Sequence, residues 1–513
     1  IIRSPLPGVL VVQGGPGTGK TVVALHRAAY LLYTHRFPLE DQGVLVVGPN
    51  RLFLAYIEQV LPSLGEAGVE LAVLADLVDD VGVRGRDREV VARLKGDAVM
   101  SQVLTKAVRD RKRALRAPLR VGLGLQTLSL SVPVSADIVR DARRRFRHHN
   151  AGRRFVEKEV AFHLAESAKV PLDPDEVWRQ VRRSPEVRAA LEEMWPVLTP
   201  AQLLHDLFGS KALLHLAAGR HLPREQADLL YRPRAESVDA VVWTHDDVPL
   251  LDEARALLGP KPRKRKRDED EIRTYGHIVI DEAQDLSPMQ LAMISRRSLN
   301  GSMTVVGDIA QSTGAWAHAD WDEILALLPD RRAPRREELT VGYRIPGPNM
   351  ALAARVLARS APDLTPPRAV RQDGRPPEVV RVDDPAAFAG AVADAVRAEV
   401  AAVESGNVAV ICPASRTDEC SAALDAAGID HGVAIERGLN HQVTVVPVGI
   451  VKGLELDATV VVDPVGILDE EAQGMRALYV ALTRATKLLT IVHEGELPDV
   501  LAPTDVVEPA PVA

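Results

Sequence analysis

The sequence predicts an α/β protein built on parallel sheets. Three observations carry that prediction. A glycine-rich stretch, Gly14-Gly15-Pro16-Gly17-Thr18-Gly19-Lys20-Thr21, lies between an apolar run and an amphipathic helix; a carboxylate, Asp281, closes a second apolar run; and a third run opens "MTVVGDIAQST" (Met303–Thr313) ahead of a polar loop. Each puts a polar loop after a short buried strand, the pattern of open parallel sheets, which bind ligands beyond the carboxyl ends of their strands. At 513 residues the chain exceeds one ordinary core, so several domains are expected.

In chain order, "GVLVV" (Gly8–Val12) is short and apolar enough for a buried strand. The glycines after it let backbone N–H groups turn toward an anion, and a helix starting there adds the positive end of its dipole. Val22, Val23, Leu25, Ala28, Ala29 and Leu32 recur at helical spacing and supply that helix. Gly14 to Gly19 form the cradle, Lys20 is placed to reach the β- and γ-phosphates of a nucleotide, and Thr21 to ligate Mg²⁺.

Lys20 and Asp281 stand about 260 positions apart, far more than one strand–helix–strand excursion needs, so a large insertion is expected near 71–270. It reads as mainly helical. "SADIVRDARRRFRHHN" opens with Ser135 as N-cap, and "SPEVRAALEEMWPVLTPAQLLHDLF" has apolar residues at helical intervals with breaks at Pro196 and Pro200. Leu123, Leu125, Leu128, Leu130 and Val132 suggest a hairpin near 119–134. Ile278, Val279 and Ile280 then form a strand that delivers Asp281 to hold Mg²⁺ and Glu282 to orient and deprotonate a water. Gln311, in the next strand-end loop, is placed to sense the γ-phosphate.

A net charge of −7 argues against polyanion binding by bulk charge. Basic residues are gathered in runs instead: Arg109–Arg116, Arg143–His149 and Lys261–Arg267, the last followed by Asp268–Glu271 and read as a solvated loop. Aromatics are only 4% of the chain, a mild argument against stacking along a single strand. No run of 18 apolar residues occurs, so no membrane span is expected. Cys412 and Cys420 read as reduced thiols of a cytoplasmic protein, and His148-His149 has no partner at metal-ligand spacing. The opening Ile1-Ile2-Arg3 reads as a truncated start rather than a processed secretory end.

With these residues in hand, the chain resembles superfamily 1 helicases of the UvrD/Rep type, and within them the HelD family of RNA polymerase-associated ATPases. The resemblance is carried by "VVQGGPGTGKTVVALHRAAYLLYTHR", "VLVVGPN", "VIDEAQDLSPMQ", "VVGDIAQST", "VGYR", "VVPVGIVKGLELDATVVVDP" and "LYVALTRATK". It implies two RecA-like P-loop NTPase domains with ATP and Mg²⁺ between them. The second domain then supplies Arg344 and Arg484 to the γ-phosphate, Glu455 to the ribose and Tyr343 to the base. The sequence departs from the family at Gly342, where asparagine is common, and at Leu456, where phenylalanine is common. The family's upstream glutamine motif and N-terminal coiled-coil arm are not among these residues.

The expected organisation is a first RecA-like domain over 1–70 and 271–335, a mainly helical insertion over 71–270, a second RecA-like domain over 336–501 and a disordered tail over 502–513. From Tyr343 to Val443 is about 100 positions, room for the second domain's core but not for the accessory domain that DNA-unwinding relatives carry there. "GPNRLFLAYI" (Gly48–Ile57) also replaces their DNA-contacting segment. The expectation is therefore an ATPase that remodels core RNA polymerase. Two alternatives remain: a 3′–5′ DNA translocase or helicase with the basic runs and aromatics such as Trp316 and Trp321 along its track, and a nucleotide-gated polymerase clamp with little turnover.

Overall fold

The computed structural model describes residues 1–502 apart from 50, 52–53, 55–67, 80, 263–271, 330–331 and 435–440. Most of "GPNRLFLAYI", the basic and acidic runs from 263, and the expected tail from 503 lie outside the described residues.

Two six-stranded, wholly parallel sheets organise the chain. β1 (Val9–Gly14), β2 (Val44–Val47) and β3 (Val69–Ala72) come first. A mainly helical stretch follows, with two small sheets: β4 (Val83–Gly85) pairs with a later β7 (Trp243–Thr244), and β5 (Leu119–Leu123) forms an antiparallel hairpin with β6 (Gln126–Leu130). β8 (His277–Ile280), β9 (Met303–Gly307) and β10 (Arg335–Leu339) complete the first sheet in the order β10-β1-β9-β8-β2-β3. Every residue of β2, β8 and β9 is buried, as expected for inner strands covered by helices on both faces.

The first sheet outruns the bounds expected at 70 and 335, since β3 continues to Ala72 and β10 pairs with β1. The sequence hid β10 because Arg-Arg-Glu-Glu-Leu lies at the sheet edge, half open to solvent, and needs no apolar run.

A two-residue parallel pair, β11 (Val341–Gly342) with β12 (Arg368–Ala369), leads to the second sheet. Its strands are β13 (Glu378–Val382), β14 (Val408–Cys412), β15 (His431–Val433), β16 (Val443–Pro447), β17 (Leu456–Val462) and β18 (Ala485–Glu494), in the order β13-β18-β17-β14-β16-β15. Between Tyr343 and Val443 the described residues form only this sheet, the short pair and the helices that flank them.

The helical stretch builds two cores of its own. One gathers Leu128, Ile138, Leu164 and Trp195 around the hairpin. The other joins Met100, Leu204, Phe208 and Leu251 to Met289 and Met293, on the helix Pro288–Ser295 that follows β8. Ion pairs reinforce that joint: fully buried Asp252 meets Arg296 at 2.6 Å and Arg297 at 2.8 Å. Among the described residues no helix is long and apolar enough to cross a membrane.

One expected cap is corrected. The helix runs Val132–Arg145 and its N-cap is Ser131, whose Oγ accepts from the Val134 amide. Ser135 is instead fully buried, taking the Leu115 amide at 3.0 Å and donating to the Val132 carbonyl. Pro133, whose fixed φ suits a first turn, moves the start earlier. Ser131→Ala should therefore destabilise the protein by about 1 kcal/mol, read as a small drop in denaturant midpoint at unchanged slope.

Candidate active site

β1 ends at Gly14, and the helix Lys20–Thr34 begins six residues later in sequence. Gly17 (φ 69°) and Gly19 (φ 79°) turn the loop through the left-handed region that side-chain-bearing residues avoid. At Gly17 a Cβ would also stand 2.7 Å from the Arg344 Cβ, so glycine here admits the second half of the chain to the loop. Thr18 Oγ1 donates to the Gly15 carbonyl at 2.8 Å, and the Lys20 ammonium bends over the loop, 3.4 Å from the same oxygen.

β9 separates β1 from β8, so three strand-end loops lie side by side. Thr21 Oγ1 donates to Asp281 Oδ2 at 2.7 Å, and Asp281 Oδ1 accepts the Glu282 amide at 2.9 Å. Glu282 itself has φ 51°, a costly conformation for a residue with a side chain and one that concentrates at functional sites. Its carboxylate accepts from the Gln284 amide at 2.5 Å.

The ionisation of the two neighbouring acids is pushed in opposite directions. Burial, reinforced by the Glu282 charge, pushes Asp281 up to about 6 against the Thr21 hydrogen bond and the Lys20 charge. Burial also works against the Glu282 charge, but Lys452 and Lys20, with Gln284 and Arg484, outweigh it and hold that carboxyl below its ordinary range. Glu282 is thus the more readily ionised of the two, suited to accept a proton, while Asp281 is a buried acid whose charge a cation would stabilise.

The second half of the chain closes over these loops. Buried Arg484 donates through Nη2 to Gln311 Oε1 at 3.0 Å, and Gln311 in turn donates to Asp308 Oδ2 at 2.8 Å. Burial lowers the Arg484 pKa, partly offset by the Glu282 charge. Arg344 pairs with Glu455 at 2.6 Å, and the Tyr343 amide donates to the Gly17 carbonyl at 3.0 Å while the residue as a whole is 64% exposed. All the residues expected from the sequence therefore gather around one seam: Gly14 to Thr21, Asp281, Glu282 and Gln311 on one side, Tyr343, Arg344, Glu455 and Arg484 on the other.

Sequence reasoning missed four supports. Lys452 spans the seam, 3.7 Å from Glu282 and bonded to Asp285 and to the Gln311 carbonyl. Gln284 bonds Glu282 and the Asp308 amide. Gln13 holds Asp308 Oδ1 at 2.8 Å, and Trp321 Nε1 holds Gln13. Lys452 and Gln284 stand inside the motif segments "VKGLELD" and "DEAQD" and could have been singled out there. Gln13 faces its partners only because β1 and β9 are neighbours.

Chemically, the seam offers an anion cradle beside a hydroxyl–carboxylate pair of hard oxygen donors, with guanidinium groups opposite. Among the described residues no cluster of three or more His, Cys, Asp or Glu could hold a metal alone. That is the donor set of a cation completed by water and phosphate oxygens rather than by a protein cage. On the other side of Asp281 and Glu282, a cleft of about 950 Å³ opens toward the helical stretch. Asp76, Asp87, Asp246 and Asp285 also line it, against Arg51, Arg86 and His245.

Comparison with known proteins gives three results. None of the curated proteins matches the chain. The crystal structure of the C-terminal domain of a possible DNA helicase from Lactobacillus plantarum WCFS1 matches at 23% identity over 32% of this chain and 93% of that one, with a TM-score of 0.26, too low to bear on the fold. The profile of the UvrD/REP helicase N-terminal domain matches residues 246–331. Over this stretch, which carries Asp281, Glu282 and Gln311, the chain is similar to the N-terminal domain of UvrD/REP helicases.

Proposed function

We propose that the chain is an ATP-hydrolysing, helicase-like motor that binds RNA polymerase and uses ATP binding and hydrolysis to release it from nucleic acid. Each parallel sheet with its helices is read as one RecA-like domain, with the stretch near 71–270 inserted in the first. The observation that carries the ATPase reading is the Arg484–Gln311 contact, 3.0 Å across the seam, beside Glu282 and the cradle. Backbone amides of 14–19 and Lys20 bind the phosphates; Thr21 and Asp281 would hold Mg²⁺, which when bound offsets phosphate charge. Glu282 orients the water and takes its proton. Gln311 reports the γ-phosphate, and Arg344 and Arg484 stabilise charge there as the domains close. Tyr343 packs on the base and Glu455 meets the ribose.

The polymerase reading rests on the HelD resemblance, on the lack of an accessory domain among the described residues between Tyr343 and Val443, and on the acidic cleft, which repels a phosphate backbone beside the strand ends. The helicase match over 246–331 favours a second reading, a 3′–5′ DNA translocase. Its expected aromatic track is not free: Trp321 is buried under Gln13, and the Trp316 indole lies against Gly96.

The test compares ATPase rate for the protein alone, with core polymerase and with single-stranded DNA. Polymerase stimulation is expected; stimulation by DNA with strand separation would instead establish the translocase. Glu282→Gln should slow hydrolysis about 10²–10⁴-fold and abolish recycling of stalled polymerase. Full release by that variant on ATP binding alone would identify a nucleotide-gated clamp.

A further inference from the structure

The two arginines of the second half reach the seam from segments far apart in sequence. Arg344 follows β11, whereas Arg484 directly precedes β18. Burial lowers the Arg484 pKa and the neighbouring Arg344 charge adds to that, against the Glu282 charge. Two cations this close repel, so the segments that carry them need a tie to stay in register.

Arg371, two residues past β12, supplies one. Its Nη1 donates to the Arg344 carbonyl at 3.0 Å and to the Thr486 carbonyl, two residues past Arg484, at 2.6 Å. The backbone around Arg371 is anchored separately, on the turn that carries Arg344. The Val370 amide donates to the Gly342 carbonyl at 2.8 Å, and the Arg371 carbonyl accepts the amide of Gly347, first residue of the helix Gly347–Ser360, at 2.7 Å. Truncating the Arg371 side chain therefore cuts the link to β18 and leaves the path of the chain in place.

The link closes a ring. Thr486 Oγ1 donates to the Leu456 carbonyl at 3.0 Å, Leu456 follows Glu455, and Glu455 pairs with Arg344 at 2.6 Å. The arms of this ring differ in kind. The Arg344–Glu455 pair joins two side chains that are 39% and 57% exposed, and Arg344 must leave it to reach a phosphate. The bonds of Arg371 go to main-chain oxygens and persist when that pair opens.

We propose that Arg371 is a positioning residue that locks the Arg344 and Arg484 segments together, so that both guanidinium groups meet the nucleotide in one movement. The inference rests on the ATPase reading above. Both Nη1 hydrogens of Arg371 are engaged by the carbonyls, so it acts through the arginines it holds. Charge that develops in transfer is stabilised best by groups already in position, which is what such a tie secures.

The test is steady-state ATP hydrolysis by the whole chain, with hydrogen–deuterium exchange read on the same samples. Arg371→Ala should lower kcat by roughly 10²-fold while KM for ATP stays within about threefold, the split expected when transition-state rather than ground-state contact is lost. The loss should not add to that of the arginines it holds: in an Arg484→Ala background the same substitution should cost less than about fivefold. Exchange in Arg371→Ala should quicken over 341–347 and 484–488 while the inner strands of the second sheet keep their protection. Because both bonds leave one nitrogen, Arg371→Lys should recover most of kcat, whereas Arg371→Met, which keeps a stem without donors, should not. An unchanged kcat in Arg371→Ala would overturn the inference and leave the ATPase reading standing. A fully additive loss in the Arg484→Ala background would do the same, making Arg371 a structural residue. A wild-type chain that does not hydrolyse ATP would overturn both.

Discussion

Replacing Lys20 by alanine is expected to lower ATP hydrolysis by about 10³-fold, the scale on which a positioned charge acts in a water-poor phosphoryl-transfer site. The ammonium stands over the loop at 3.4 Å from the Gly15 carbonyl and electrostatically supports both Asp281 and Glu282. Its loss removes the phosphate contact and also makes ionising that acidic pair harder, since two adjacent carboxylates then share fewer positive neighbours. Nucleotide titration with a fluorescent ATP analogue and steady-state phosphate release measure the two consequences separately. Retained hydrolysis by the variant would overturn the phosphate assignment of the whole loop.

Arg484→Ala is expected to keep nucleotide affinity within a few-fold while slowing turnover by about 10³-fold, by analogy with arginine fingers. The split follows from position. Arg484 lies across the seam from the cradle, so it stabilises charge that develops during transfer more than charge present in the bound ground state. It is also buried, with Nε on the Val480 carbonyl and Nη2 on Gln311. Truncation therefore leaves Gln311 Oε1 without its partner, and thermal unfolding must be recorded alongside kcat. Arg484→Lys keeps a charge without the planar fork and should recover little of the rate, which separates a catalytic loss from a folding one. An unchanged kcat in the alanine variant would make Arg484 a structural residue of the second sheet.

Much of this site is legible along the chain because its parts are local. The glycines at 17 and 19 announce a left-handed turn, and Lys20 and Thr21 follow within the same loop. Asp281 is found because an apolar strand stops just before it. Legibility fails where a residue works through distant neighbours. Lys452 lies in a motif segment, but nothing local says that it bridges Glu282, Asp285 and the Gln311 carbonyl. Gln13 sits in a strand whose apolar neighbours give the only signal, and Ser135 looks like a cap until Pro133 is seen to start the helix earlier.

Arg27 shows the same division. On the helix Lys20–Thr34 it is fully buried, donating to Thr304 and to the carbonyls of Ile1, Ile2, Ser4 and Pro5, partners that no local pattern points to, and burial lowers its pKa to about 10. By itself, the sequence determined the short-range features: buried strands, the glycine turn, and the carboxylates and guanidinium-bearing motifs at strand or helix ends. Those follow from backbone conformational limits and apolar periodicity, which act over a few residues. Only the tertiary structure decided which loops share an edge and which acid at 281–282 ionises more readily. Each of these depends on distances and burial among residues tens to hundreds of positions apart, set by strand order and packing rather than by local pattern.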